Sequence, residues 1–432
     1  MKETTLERGD GIRLHVVEWE PRESEVAEPP LFLLHGLSSN SYFWSRTAQL
    51  LPWRRVVAID QRAHGASSAP ESGYSAAALA ADAAFVIEAL GLRRPVVAGH
   101  SWGGSIALQL AADRPDLVGA LVAVDAPVRS LKERMSWEEA QRLMQPPLPL
   151  YTSLDEAVME RKVYLGHVWS ADLDRFVEHG LVREEAGWRL PLTVPIRHEI
   201  LREMFFQPYE EQWRRVECPI LLAMAEGGPA GFVEMKKATA ERLGAERPGI
   251  TVHWLQTNHD IPVEDPAGVA ADLERSALRA AHADIGRRVH ALSGDWSASA
   301  GYAEVEGEDW DAKDLLAHIA STHGSLALMC TAGPQPVDPA RPPFDPNRWN
   351  ASMLRRRKDL SAEQLVEEID RANAELDPVL AELDLDAPVG LGRWEGRGKG
   401  ESMRYMVQHQ LSHLADLERT LAHLESTPST AP

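Results

Sequence analysis

Up to about residue 272 the chain alternates short apolar runs with helical patterns, and beyond Pro266 only helical patterns remain. That switch limits the possible folds more than any single residue does. Leu31–Leu34, Val56–Ile59, Val96–Ala98, Leu121–Val124, Ile220–Ala223 and Thr251–Leu255 are too short for helices and mostly apolar. Strands of a parallel sheet covered on both faces look like this. Helical stretches such as Ala76–Leu90 separate most of them, so the first part reads as an α/β fold with a mostly parallel sheet. Ile12–Trp19 alternates as an exposed strand does. The interval from Val124 to Ile220 is too long for a simple connection. It is rich in Glu, Arg, Trp and Met, with a proline break at Gln145-Pro146-Pro147-Leu148-Pro149. Residues 127–216 are therefore expected to form a helical cap over the carboxyl edge of the sheet.

The later part reads as an all-α four-helix bundle. Its candidate helices are Ala267–Leu292, Asp311–Met329, Ser361–Leu383 and Ser402–Leu424. Gly333–Pro346 holds six prolines, which excludes a helix. Gly390–Gly400 holds five glycines and reads as a second irregular loop. A length of 432 residues suits two domains. The first candidate helix crosses the division with no flexible linker, giving expected domains of 1–274 and 275–425 and a frayed tail at 426–432.

Gly99-His100-Ser101-Trp102-Gly103 sits between an apolar run and an Ala-rich helical pattern. A serine on so sharp a strand-to-helix turn has little room beside it, and the flanking glycines supply that room while leaving the hydroxyl exposed above the sheet. His35-Gly36-Leu37 follows an earlier strand. A backbone N–H there and that of Trp102 can converge as an oxyanion hole. Asp125 ends the strand after Ser101, and His259 follows the last strand. Serine, acid, histidine is the chain order this topology requires.

With Asp60-Gln61-Arg62-Ala63-His64-Gly65-Ala66-Ser67 added, residues 1 to about 272 resemble the α/β-hydrolase family. The resemblance implies that Ser101 is the nucleophile and His259 the general base, with Leu37 and Trp102 supplying the oxyanion amides and no cofactor required. Asp60 and His64 are expected to tie their loop, and His100 and Trp102 to pack beside the nucleophile. A serine disfavours dehalogenation and epoxide opening, for which this fold uses an aspartate there. The acid departs from the common pattern, because Gly228 stands where most members carry it. Asp125 is the first candidate, Glu226 the alternative, and a degenerate triad the third reading. Trp137, Trp169, Trp188, Phe205, Phe206 and Trp213 could line an apolar substrate pocket or form the cap's own core.

In the helical part, His409 and His413 stand at i, i+4 and leave one helix face. His318 shares a face with Leu315 and should point inward, whereas His323 lies about 140° around the helix from it. Such a pair alone is more often solvated, but three inward imidazoles could make an open metal site. Trp310 with Asp314-Leu315-Leu316-Ala317-His318, and the His409/His413 pair, resemble the DinB/YfiT-like superfamily and its mycothiol-dependent maleylpyruvate isomerase branch. That resemblance implies a divalent metal on His318, His409 and His413 (Zn²⁺ first, Ni²⁺ or Mn²⁺ as alternatives) and a low-molecular-weight thiol as its partner.

A net charge of −20 argues against nucleic-acid or anionic-membrane partners. The opening residues show no signal-peptide pattern and no stretch is long enough to span a bilayer, so a cytoplasmic protein with a small-molecule substrate is expected. Cys218 and Cys330 then read as reduced thiols. Gly396-Arg397-Gly398-Lys399-Gly400 lacks a phosphate loop's context, and Arg355-Arg356-Arg357-Lys358 reads as a solvated helix face. The leading expectation is a serine hydrolase for an ester, lactone or related activated carbonyl, fused to a metal-dependent thiol-handling bundle. One alternative makes the bundle only a binding or dimerisation module, and another makes the hydrolase fold catalytically degenerate. The oligomeric state is left open.

Overall fold

The computed structural model describes residues 1–22, 27–247, 249–301, 309–331, 344–390, 394 and 396–422. Most of the proline-rich stretch, part of the glycine-rich stretch and the 426–432 tail lie outside the described residues. The chain forms two compact units, Met1–Ala277 and Leu278–Pro432. Among the described residues, no helix is long and apolar enough to cross a membrane.

The strands of the first unit are β1 (Lys2–Glu7), β2 (Arg13–Trp19), β3 (Ala27–Leu34), β4 (Arg54–Ile59), β5 (Val96–His100), β6 (Ala120–Val124), β7 (Leu150–Tyr151), β8 (Val182–Glu184), β9 (Gly187–Arg189), β10 (Ile220–Ala225) and β11 (Ile250–Leu255). Eight of them form one sheet in the order β1-β2-β4-β3-β5-β6-β10-β11. The β1–β2 and β2–β4 pairs are antiparallel and the remainder parallel. Leu31 to Leu34 at the sheet's centre are wholly buried, as continuous apolar runs in a two-sided sheet must be.

One expectation changes here, and one strand is new. Strand β2 is not exposed: Leu14–Trp19 are buried because β1 covers one edge and β4 the other. Strand β1 itself, with the sequence Lys-Glu-Thr-Thr-Leu-Glu, carries almost no apolar signal.

The cap between β6 and β10 holds helices Trp137–Met144, Leu154–Leu165, Ala171–His179, Val194–Phe206 and Tyr209–Arg215. It is not purely helical. Strands β7, β9 and β8 form a small antiparallel sheet that closes on a hairpin over Glu185-Ala186. Polar contacts fasten the cap to the sheet side, three of them close to the Asp60 loop and the first helix. Arg46 Nε donates to Asp172 at 2.8 Å, and Asn40 Nδ2 donates to the Phe176 carbonyl at 2.9 Å. His179 Nε2 lies 2.6 Å from Asp60 Oδ2. Asp60 also accepts the Ser41 and Ala66 amides, at 2.7 and 3.0 Å, so its loop role is structural. Deeper in the unit, Arg54 Nε and Glu274 Oε2 pair at 2.6 Å with both side chains buried.

The second unit begins with residues 278–290 of helix Pro266–His290 and continues with helices Ala312–Thr331, Pro346–Arg357, Ala362–Ala381 and Lys399–Ala422. Ser361 starts its helix with a capping box to Gln364. A shorter fifth helix, Pro346–Arg357, packs on Ala312–Thr331. It starts where the proline stretch ends, with Asp345 as N-cap and Pro346 in the first turn. Cys218 and Cys330 are buried thiols, and burial pushes them up to about 11 and about 12.

Candidate functional site

Strand β5 ends at His100, and the next residue turns the chain into helix Trp102–Asp113. Ser101 takes φ +51° and ψ −121°, a left-side conformation that a residue with a Cβ rarely adopts. Two close approaches make the turn possible. A methyl on Gly99 would meet the Gly103 carbonyl oxygen at 2.2 Å, and one on Gly103 would meet the Leu34 oxygen at 2.4 Å. The Leu37 and Trp102 amides have no acceptor among the described residues. A methyl on Gly36 would stand 3.3 Å from Ser101 Cβ, so the loop carrying Leu37 lies against the serine.

Asp125 caps β6 in a second left-handed conformation, φ +41°. Its Oδ2 faces His259 Nδ1 at 2.7 Å. Its Oδ1 accepts the Ala225 amide at 3.1 Å and the Lys236 ammonium at 2.8 Å. Burial works to raise the Asp125 pKa, but the His259 bond and the Lys236 bond outweigh it and hold the group below the usual carboxylate value. For His259, desolvation works downward, and the Asp125 bond and charge win, lifting the imidazole above its ordinary value. Glu226 does not join this pair. It accepts from Gln256 and pairs with Lys237 at 3.1 Å.

In the second unit His318, His409 and His413 come together. Each offers a ring nitrogen within 4.8 Å of the others. His318 Nε2 and His409 Nε2 are 3.1 Å apart, and the His409 and His413 ring centres 4.4 Å. Metal–nitrogen bonds of about 2.0–2.1 Å bring two ligands of one tetrahedral ion about this close. The donor set therefore fits a divalent cation. His323 points elsewhere: its Nε2 meets Asn373 Oδ1 at 2.6 Å and its Nδ1 meets Gln410 Nε2 at 2.8 Å.

Residues 29–153 match the α/β hydrolase fold family. Lipase LipV of Mycobacterium tuberculosis is 30% identical over 275 residues, covering 60% of this chain and 96% of that protein. The chain belongs to the α/β-hydrolase fold family. Its second unit matches the mycothiol maleylpyruvate isomerase N-terminal domain over residues 278–418. Mouse epoxide hydrolase 4 is 34% identical over 125 residues, which are 28% of this chain, and the chain spans only 33% of that protein's length. The crystal structure of E-2-(acetamidomethylene)succinate hydrolase shares the fold, with a TM-score of 0.52 at 22% identity over 62% of this chain and 96% of that one.

In this α/β hydrolase, sequence reasoning missed Lys236. The residue is buried beside Val233, Ala240 and Leu243 on one face of helix Ala230–Glu246. A lysine on the i, i+3, i+7 apolar stripe of a helix is the signal that would have found it. His100 packs against His259 with ring centres 4.8 Å apart, and its Nε2 meets the His259 carbonyl at 2.8 Å. Burial, then the His259 charge, lower it to about 4, which keeps it neutral.

Each unit also holds a cavity. One of about 340 Å³ lies under the cap, lined by Ser38 and Asn40 of the loop after Leu37 and by cap residues including Tyr151, Arg161, Tyr164 and Arg197. None of the six aromatic residues expected to line a pocket borders it. Instead Trp213 bonds the Val128 carbonyl at 3.0 Å and Trp137 packs on Phe205 at 5.4 Å, as the cap's own core. The other, about 280 Å³, opens beside His318 and His409 between Leu326, Trp349 and Met406.

Proposed function

We propose that the first unit is a serine hydrolase that cleaves an ester, lactone or related activated carbonyl. The observation that carries this reading is the strained Ser101 turn beside a bonded Asp125–His259 pair. Ser101 Oγ attacks the carbonyl carbon while His259 takes its proton. The Leu37 and Trp102 amides hold the oxygen that gains charge, and Asp125 stabilises the imidazolium. His259 returns the proton to the leaving group. Water, activated by the same imidazole, then releases the acyl group from Ser101. A lipase similar over almost its whole length supports ester cleavage.

The bundle is proposed as a divalent-metal centre, with His318, His409 and His413 holding the ion. When bound, such an ion would lower the pKa of a coordinated thiol. The chain itself contributes the alignment: His318 is buried against Trp310, ring centres 5.2 Å apart, and His413 is buried one turn beyond His409.

A fluorophosphonate probe should label Ser101 in the full chain, and labelling and 4-nitrophenyl ester hydrolysis should both vanish in Ser101→Ala. An unlabelled, folded wild-type protein would mean that the fold has lost its chemistry. For the bundle, elemental analysis should find about one metal per chain that His409→Ala loses. A metal-free wild type after metal-supplemented purification would leave the bundle a binding module.

A further inference from the structure

The cavity under the cap holds two arginines with no acidic partner. Many arginines of the first unit are paired, among them Arg46 with Asp172, Arg54 with Glu274 and Arg62 with Asp82. Acidic side chains also outnumber basic ones in this chain, 65 to 45. Yet Arg161 and Arg197 make no ion pair among the described residues, and both line the same cavity. Arg197 Nε is buried with no hydrogen-bond acceptor, and one terminal nitrogen only grazes the Pro146 carbonyl at 3.4 Å. Burial alone depresses its pKa, with no acidic neighbour to offset the loss of water. Glu160 shares the lining, but its carboxylate takes the Tyr151 hydroxyl at 3.2 Å.

Arg197 shares its cavity with Ser38, the residue after Leu37, whose amide donates to His64 Nε2 at 3.0 Å. A half-buried guanidinium with an unbonded Nε and no acidic partner costs free energy in the empty protein, and a bidentate carboxylate repays that cost. We propose that Arg197 is a specificity-determining residue that holds a carboxylate of the substrate, so that the Ser101 site takes acidic esters, such as monoesters of dicarboxylic acids, ahead of neutral ones. Arg161 adds positive potential at the same cavity. The proposal rests on the reading of Ser101 as a nucleophile.

Mono-4-nitrophenyl glutarate and 4-nitrophenyl butyrate, run side by side, provide the test. The acidic ester should have the higher kcat/KM by about tenfold or more, the effect of one charge-assisted bond, and the gain should lie mainly in KM. Arg197→Met should collapse the ratio toward one, and Arg197→Lys should retain part of it. A ratio at or below one in the wild type, or one unmoved by Arg197→Met, overturns the proposal while ester turnover leaves the hydrolase reading standing. Glutarate should also slow fluorophosphonate labelling of the wild type, which needs no variant. If the probe does not label, the hydrolase reading fails, and calorimetry of glutarate with wild type and Arg197→Met still decides whether the anion site exists.

Discussion

The two sites are held by opposite means. In the hydrolase unit, Ser101 and Asp125 both sit at positive φ, at the ends of adjacent strands β5 and β6. Their chemistry depends on backbone that the surrounding sheet forces into uncommon shapes. In the bundle, His318, His409 and His413 stand on unstrained helices, and spacing along regular backbone brings them together. Under the proposed reading, the first arrangement carries its own nucleophile, base and oxyanion donors. The second offers only ligands. Strain is thus spent where the protein must act by itself, and regular structure serves where an added group would act.

That contrast can be broken most sharply at the acid. Asp125→Asn should lower kcat by about 10⁴-fold, since the amide leaves His259 in the wrong tautomer. Glu226→Gln should stay within about twofold, as an exposed pair should. Reversed magnitudes in steady-state kinetics would return the triad to the Glu226 loop. Next in size, His409→Ala should weaken metal binding by at least about a hundredfold in a competition titration, because loss of even outer-sphere support costs 10–100-fold. Chelation should leave ester hydrolysis unchanged, and a parallel loss of both would end the contrast. The smallest effect concerns pH. His259 must be neutral to act, so hydrolysis rises with pH through a pKa above the ordinary 6.5. The Lys236 charge pushes that pKa down, and Lys236→Met should move the acidic limb to higher pH. An unmoved limb would reduce Lys236 to a packing residue.

What could be read from the sequence follows the same divide. The Ser101 turn announced itself because only glycine fits at Gly99 and Gly103, and the sheet did so because two-sided burial demands unbroken apolar runs. The bundle histidines were legible through helical spacing. Strand β1 escaped notice, since an edge strand with one face in water needs few apolar residues. The β8–β9 hairpin is three residues a side, too short for any period to register. Lys236 and Arg197 were invisible for another reason: their meaning lies in partners, present or absent, that only the folded chain defines. The cap aromatics point the same way, since a tryptophan that packs its own subdomain and one that faces a ligand have identical sequence signatures.

The Ser101 backbone has a consequence for heat tolerance. A residue with a side chain at this φ and ψ costs about 1–3 kcal/mol relative to glycine. Ser101→Gly should therefore raise the melting temperature of the first unit by a few degrees, while removing the proposed nucleophile altogether. Selection for robustness alone would discard this serine, and under the proposed reading the chain gives up durability here to remain reactive.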